Sequence, residues 1–367
     1  MRKVSVIVPV YREGFYFIKS ISNLLSSDAL EELIMIIDNP SPEFYNKVKS
    51  IKCSKLKIIV NNRRTGKVSA LNKGIELAKG DIVLFLDADV NVPDRQFLEK
   101  IVRKLNGCDI LDIKKEIEPK GFLGKMMYYE YLSFNIASWL FCKILKKLPA
   151  VNGAAFAVKR NSLTKVGSFR RVISEDLDWG FRAFKKNLKI TYTKEAYVKV
   201  EPLSSWRKWL EQRKRWAFGF AEWLFNNLKD IIVTLIKYPF IVIPAAIMAV
   251  PSISILVLDF IVSDEIVLKI ASLILIPLIA KTGFSLLPLI MTFNIALALK
   301  ETLVLFSSFA ISAVITGILA KYLGYRFEIH EYAVYYFIYS LAWLLILVSA
   351  VFCYFLTRKI PRLDWKV

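Results

Sequence analysis

"GDIVLFLDADVN", residues 80–91, joins an unbroken apolar run to a pair of carboxylates. Ile82, Val83, Leu84, Phe85 and Leu86 read as a buried strand, since the run leaves no polar position for water. It stops at Asp87-Ala88-Asp89. Upstream, Val4–Val10, Leu33–Ile37 and Leu56–Val60 read as further strands, with helices over 14–27 and over 68–79, where Val68, Leu71, Ile75 and Ala78 recur at helical spacing. Strands separated by helices predict an α/β fold, Rossmann-like, with a mostly parallel sheet covered on both faces. Ligands of such sheets bind beyond the carboxyl ends of the strands. Tyr11, Asp38, Asp87 and Asp89 all fall there.

Two carboxylates about 7 Å apart on an extended chain repel at neutral pH unless a cation or donor groups share them. Oxygen ligands of this kind suit Mg²⁺ or Mn²⁺, which take one or two carboxylates plus substrate phosphates. A strand-end turn with Asp capping a helix is the plainer alternative.

Composition divides the chain in two. Its 367 residues carry a net charge of +20 with 55% hydrophobic residues, and most acidic residues precede position 232. Cys53, Cys108, Cys142 and Cys353 stand alone, which supports neither a zinc site nor a disulfide framework. A reducing, cytoplasmic setting for the polar half is expected, and the N-terminal pattern predicts no cleavable signal. From Ile231 onward apolar runs lengthen, predicting a helical membrane domain over 231–367 with spans near 234–258, 266–282, 302–322 and 333–356. Residues 283–300 read as a re-entrant or interfacial helix or a further span. The basic tail, Arg358, Lys359, Arg362 and Lys366, is expected in the cytoplasm, giving four crossings of the cell membrane. Within the polar half, 1–230, the segments 121–148 and 204–228 read as membrane-surface helices, with Arg207, Lys208, Arg213 and Lys214 meeting anionic lipid.

Four further segments stand around the DAD run: "RRTGKVSALNKGIELAKGD" (63–81), "VNGAAFAVKR" (151–160), "SEDLDWGFRAFKKN" (174–187) and "EQRKRW" (211–216). In this order they resemble the family 2 inverting glycosyltransferases of GT-A fold, in particular the membrane-embedded branch of cellulose, chitin and hyaluronan synthases and ceramide glucosyltransferase. The resemblance covers residues 4–220. It implies that Asp89 holds the metal, that Asp87 lies at the nucleoside or its ribose, and that Asp38 and Tyr11 meet the base. Asn39 and Pro40 depart from the family's usual residues after Asp38. Arg63 and Lys67 would face the diphosphate at a helix N-terminus, or form solvated basic surface. Asp176 is the implied general base; Glu175 and Asp178 crowd negative charge beside it, and the same residues would serve an ordinary helix start. Gln212 and Arg215 would contact the phosphates. Gly153, Glu175 and Trp216 would receive the acceptor, Trp216 alternatively anchoring an interfacial helix.

The implied activity is metal-dependent transfer of a sugar from a nucleotide-diphosphate donor, a uridine nucleotide by family expectation, to a lipid-linked or growing glycan acceptor, with membrane lipids as partners and no nucleic acid. A processive polysaccharide synthase is the alternative within the class. A non-catalytic basic membrane protein binding anionic lipid is the alternative outside it.

Overall fold

The structure, a computed structural model, describes residues 2–282 and 286–361, so the expected tail positions Arg362 and Lys366 lie outside it. The chain opens with β1 (Val4–Tyr11), α1 (Phe15–Leu25), β2 (Leu30–Asp38), α2 (Pro42–Lys49), β3 (Leu56–Asn61), α3 (Lys67–Leu77) and β4 (Ile82–Leu86) in strict alternation. It continues through β5 (Val90–Asn91), α4 (Phe97–Leu105), β6 (Ile110–Ile117), α5 (Gly121–Leu145), β7 (Ala155–Lys159), α6 (Arg160–Val166), α7 (Glu175–Lys185), β8 (Ile190–Val200) and α8 (Trp206–Asn226). The eight strands form one sheet in the order β3-β2-β1-β4-β7-β6-β8-β5. The expected α/β GT-A class is the observed one.

β1 pairs in parallel with β2 and β4, and β2 with β3. Register sets Tyr11 opposite Asp38 and Asp38 opposite Asn61, so three polar residues share the carboxyl edge. β7 runs antiparallel to β4, with Leu86 opposite Ala155. That reversal brings the start of β7, and Gly153 just before it, to the edge where β4 ends; the Asp87 N–H donates to the Ala154 carbonyl at 3.1 Å.

The C-terminal part comprises α9 (Leu228–Lys237), α10 (Pro239–Ala249), α11 (Ile253–Ile261), α12 (Asp264–Thr282), α13 (Leu286–Leu323), α14 (Ile329–Val334), a π-helical turn Tyr335–Tyr339, and α15 (Ser340–Thr357). Among the described residues two stretches, Phe293–Leu323 and Ile329–Thr357, are long and apolar enough to cross a membrane, or three if the bent pair Leu228–Lys237 and Val242–Ala249 forms one span. Of the four expected spans, 302–322 and 333–356 fall within these two stretches, and 266–282 falls in neither. The run over 234–258 is broken where Pro239 starts a helix and at 250–252, and α12 carries Asp264, Glu265, Lys269 and Lys281 in its 19 residues. Residues 286–300 continue directly into the 38-residue α13, not into a separate re-entrant helix.

α5 differs from its expectation as a membrane-surface helix. Met126 to Leu132 and Ile136 are buried, because β6 and β8 lie on one side and α10, α13, α14 and the π-helical turn on the other. A helix apolar all round is one enclosed by protein.

Candidate active site

Asp38 ends β2 buried, and both carboxylate oxygens are engaged. Oδ1 accepts from Asn61 Nδ2 and from Thr65 Oγ1, both at 2.8 Å; Oδ2 accepts from the Thr65 N–H at 2.7 Å and the Gly66 N–H at 2.8 Å. Asp38 therefore shapes the loop that leads into α3. Gly66 at its turn has φ +104°, a left-handed value that favours glycine. The turn aims Arg64 inward, its guanidinium 4.2 Å from the Tyr11 ring centroid, while Arg63 is exposed and outside the cavity lining. The sequence expectation placed Arg63 at the phosphates; its neighbour Arg64 is the one that lines the cavity.

Tyr11, Asp38, Arg64, Lys67, Asp87, Asp89, Gln212 and Arg215 line one cavity of about 490 Å³. Glu201, absent from the sequence expectation, joins them because its N–H donates to the Asp89 carbonyl at 2.8 Å. The lining holds five carboxylates (Glu13, Asp38, Asp87, Asp89, Glu201) against three cations (Arg64, Lys67, Arg215). An anionic ligand therefore needs additional positive charge to enter.

Asp89 is where such charge fits. Its Oδ1 is buried and accepts no hydrogen bond. Burial, then the neighbouring Asp87 charge, push its carboxyl up to about 6 against the opposing pull of Lys67. A buried, unsatisfied carboxylate oxygen is costly unless a cation meets it. Among the described residues no three His, Cys, Asp or Glu side chains gather as a closed metal cage. One or two carboxylates with the remaining positions left to phosphate and water suit Mg²⁺ or Mn²⁺. Asp87 is already compensated, with Lys67 Nζ 2.8 Å from its Oδ1.

Lys67 also pairs with Glu175 Oε1 at 2.9 Å. Burial disfavours its ammonium, but Asp87, Glu175 and Asp176 outweigh it and hold the pKa above the usual lysine range. Glu175, expected on the acceptor side, is thereby a buried partner of Lys67. Asp178 bonds Arg182 at 2.9 Å, so the crowding expected around Asp176 is relieved on both sides. Asp176 does not line the large cavity; it is half-buried in a narrow adjoining cleft with Lys67, Asp87, Gly153 and Glu175, of which Lys67 and Asp87 also line the cavity. Its Oδ2 accepts from the Gly153 N–H and its Oδ1 from the Leu177 N–H, both at 2.8 Å. A Cβ at Gly153 would stand 2.9 Å from Oδ2, which explains glycine there.

α8 presents Gln212 and Arg215 to the cavity. Burial works against the Arg215 charge and lowers its pKa, while Glu175, Asp87, Asp89 and Asp176 favour the charge. Trp216 is not part of the lining; it packs near Phe134 and against the cluster of Ala217, Val250, Trp343 and Ala350. Arg213, expected at the lipid surface, is fully buried and bonded to Glu130 of α5. Charge pattern alone could not reveal this, because the acidic partner lies 83 residues away.

Residues 5–147 match the family model of Glycosyl transferase family 2, and residues 82–356 match that of Glycosyl transferase family group 2. "Probable glycosyltransferase YdaM" of Bacillus subtilis is 26% identical over 235 residues, covering 59% of this chain and 55% of that protein. The undecaprenyl-phosphate 4-deoxy-4-formamido-L-arabinose transferase of Aeromonas hydrophila is 31% identical over 118 residues, 30% of this chain and 36% of that one. The chain spans about half the length of the first curated relatives it matches. In fold it is similar to the mannosyltransferase PcManGT from Pyrobaculum calidifontis, solved with GDP-Man and Mn²⁺, at a TM-score of 0.51 and 19% identity over 82% of this chain and 87% of that one.

Proposed function

The chain belongs to the family 2 glycosyltransferases, and from that premise we propose that it moves a sugar from a nucleotide-diphosphate donor to a lipid-linked or growing glycan acceptor at the cytoplasmic face of a membrane, with inversion at the anomeric carbon. The observation that carries the reading is the buried, unpartnered Oδ1 of Asp89 on a cavity wall shared with Lys67 and Arg215. Asp89, with Asp87 beside it, would suit a Mg²⁺ or Mn²⁺ ion that takes one or two carboxylates and completes its shell with phosphate and water oxygens. The Aeromonas transferase acts, by its name, on undecaprenyl phosphate, and the two long apolar helices of this chain would keep a lipid-linked acceptor close.

Asp89, with Asp87 beside it, would hold Mg²⁺ or Mn²⁺, which supplies positive charge to the leaving diphosphate. Lys67, at the start of α3, and Arg215, on α8, meet the remaining phosphate charge. Tyr11 and Arg64 offer a stacked pair for the base. Asp38 holds the loop that carries Arg64 and Lys67. Asp176 takes the proton from the acceptor hydroxyl as its oxygen attacks the anomeric carbon and the bond to the diphosphate breaks. The Gly153 N–H fixes the carboxylate that performs this step. A role for Gly153 toward the acceptor rests on its contact with Asp176; that of Trp216, which packs outside the cavity, rests on the family resemblance alone.

The test is a donor screen on full-length protein in detergent with Mn²⁺ or Mg²⁺, reading nucleotide release from uridine- and guanosine-diphosphate sugars with and without membrane lipid. Asp89→Asn should remove the metal requirement together with the activity. Asp176→Asn should lose about 10²–10⁴-fold in turnover while retaining donor binding. Full activity in both variants refutes the reading. Product size separates the alternatives: one added sugar excludes a processive synthase.

A further inference from the structure

Arg213 lies between the two cavity-facing residues of α8 without itself reaching the cavity. Its guanidinium donates from Nε to Glu130 Oε1 at 2.9 Å and from Nη2 to Glu130 Oε2. Nη2 also reaches Tyr339 Oη at 3.1 Å, and Nη1 donates to Gln212 Oε1. Tyr339 donates to Glu130 Oε2 at 2.8 Å and accepts from Trp209 Nε1 at 2.6 Å. The Arg213 guanidinium also stacks 4.3 Å from the Trp216 ring centroid. Three elements thus converge on one planar fork: α5 through Glu130, α8 through Gln212, and the last apolar helix through Tyr339.

The geometry of that helix is specialised at the same place. Tyr339 closes the π-helical turn Tyr335–Tyr339, and Tyr335 donates to Ser133 Oγ of α5 at 3.2 Å. π-turns inside α-helices recur at functional sites because the extra residue redirects side chains. Gln212 is the other end of the chain of contacts. With its amide oxygen taken by Arg213, its two amide hydrogens are the groups left to face the cavity. That is the polarity a phosphate or ribose oxygen requires.

We propose that Arg213 is a positioning residue that locks Gln212, and with it Arg215 one turn on, to the C-terminal apolar helix, so that diphosphate binding depends on where that helix sits. The proposal rests on the reading of the cavity as a nucleotide-diphosphate site. A lysine cannot substitute, since one ammonium lacks the planar fork that reaches Glu130, Tyr339 and Gln212 together.

Three variants of the full-length protein in detergent test this: Arg213→Lys, Tyr339→Phe, and the paired Glu130→Leu with Arg213→Met, which removes both buried charges at once. The readout is calorimetric affinity for UDP and for GDP with Mn²⁺, alongside thermal midpoint and, with a working donor, the split of the effect between KM and kcat. Arg213→Lys and the paired variant should bind the diphosphate about tenfold more weakly, as loss of one oriented hydrogen bond to an anion implies, with the loss carried in donor KM. Tyr339→Phe should weaken it about threefold. If Arg213→Lys stays folded and keeps wild-type affinity and KM, the positioning role is refuted. Should the paired variant aggregate, the two single variants, which leave charge or ring in place, decide the matter. Wild-type protein that binds neither diphosphate refutes the site reading and the proposal together, a result distinct from wild type and variants binding equally.

Discussion

At the scale of single residues, the site turns on how closely the backbone of one loop approaches one carboxylate. Gly153 and Asp176 meet only because antiparallel β7 begins where β4 ends. Gly153→Ala would force its Cβ to 2.9 Å from Asp176 Oδ2, so either the loop or the carboxylate must move. Relief of that contact moves one of them by roughly half an ångström, and misplacement approaching about 1 Å at a proton-transferring group costs up to about 10²-fold. We expect kcat to fall by up to that factor, with donor affinity and thermal midpoint close to wild type, measured by steady-state kinetics and calorimetry. Unchanged kcat would separate Asp176 from the proton transfer. The positions of Asp89 beyond β4 and Asp176 at the start of α7 were legible as breaks in the apolar pattern, while the roles proposed for them came only with the family resemblance. Arg64 was not legible. Two adjacent arginines in an irregular loop differ only in the direction each takes, and that is set by the Asp38 hydrogen bonds and the left-handed Gly66.

Between elements, buried polar side chains set the register that apolar packing leaves open. Glu32 lies inside the sheet, where its carboxylate accepts from Ser5 Oγ at 2.7 Å, the Lys79 N–H at 2.6 Å and Lys57 Nζ at 2.5 Å. It fastens β1, β2, β3 and the turn before β4 at the end opposite the cavity. Burial disfavours its charge, but the bonds from Lys57, Ser5 and Lys79 outweigh it and hold the pKa below the usual glutamate range. A carboxyl held low binds fewer protons folded than unfolded. Its stabilisation is therefore complete above the ordinary value of 4.5 and lost as pH falls through the lower, folded value. Glu32→Gln should cost about 1–3 kcal/mol near neutral pH, and the difference from wild type should shrink below pH 4.5 in denaturant titrations. A gap that widens with acid would contradict the assignment. The first four strands, the helices between them and the carboxyl-edge residues followed from continuous apolar runs and the period-3.6 pattern, whereas β5 to β8 and the order of the strands in the sheet did not. Glu32, Arg213 and the buried α5 did not, because a charge whose partner is far along the chain looks like surface, and an apolar helix enclosed by protein looks like one facing lipid.

Over the whole molecule, the catalytic half and the apolar helices form one packed body. Lys114 of β6 donates to the Leu323 carbonyl at 2.9 Å, closing the end of α13 on the sheet, and Tyr325 donates to the Lys115 carbonyl at 2.9 Å. Part way along that helix Lys300 is buried against Asp259 and Asp264. The 23 residues between Lys300 and Leu323 rise about 35 Å, a little more than the hydrocarbon thickness of a bilayer. Charged groups thus bracket one bilayer-length segment. The last apolar helix instead runs beside α8 and in the same direction, Tyr339 against Trp209 and Tyr354 against Phe225, leaving Leu345, Val348, Phe352 and Leu356 exposed along its other face. Cutting the chain after residue 227 would strip the cover from α5 and leave the Arg213–Glu130 pair without Tyr339. The pair loses its hydrogen bonds to Tyr339, and the uncovered tyrosines and methionines of α5 form an apolar patch prone to association. We expect the 1–227 fragment to aggregate without detergent, while full-length protein in detergent elutes as a single species. A monomeric, detergent-free 1–227 fragment with native near-ultraviolet dichroism would show instead that the catalytic half folds alone, and that the C-terminal helices serve only to hold it at the membrane.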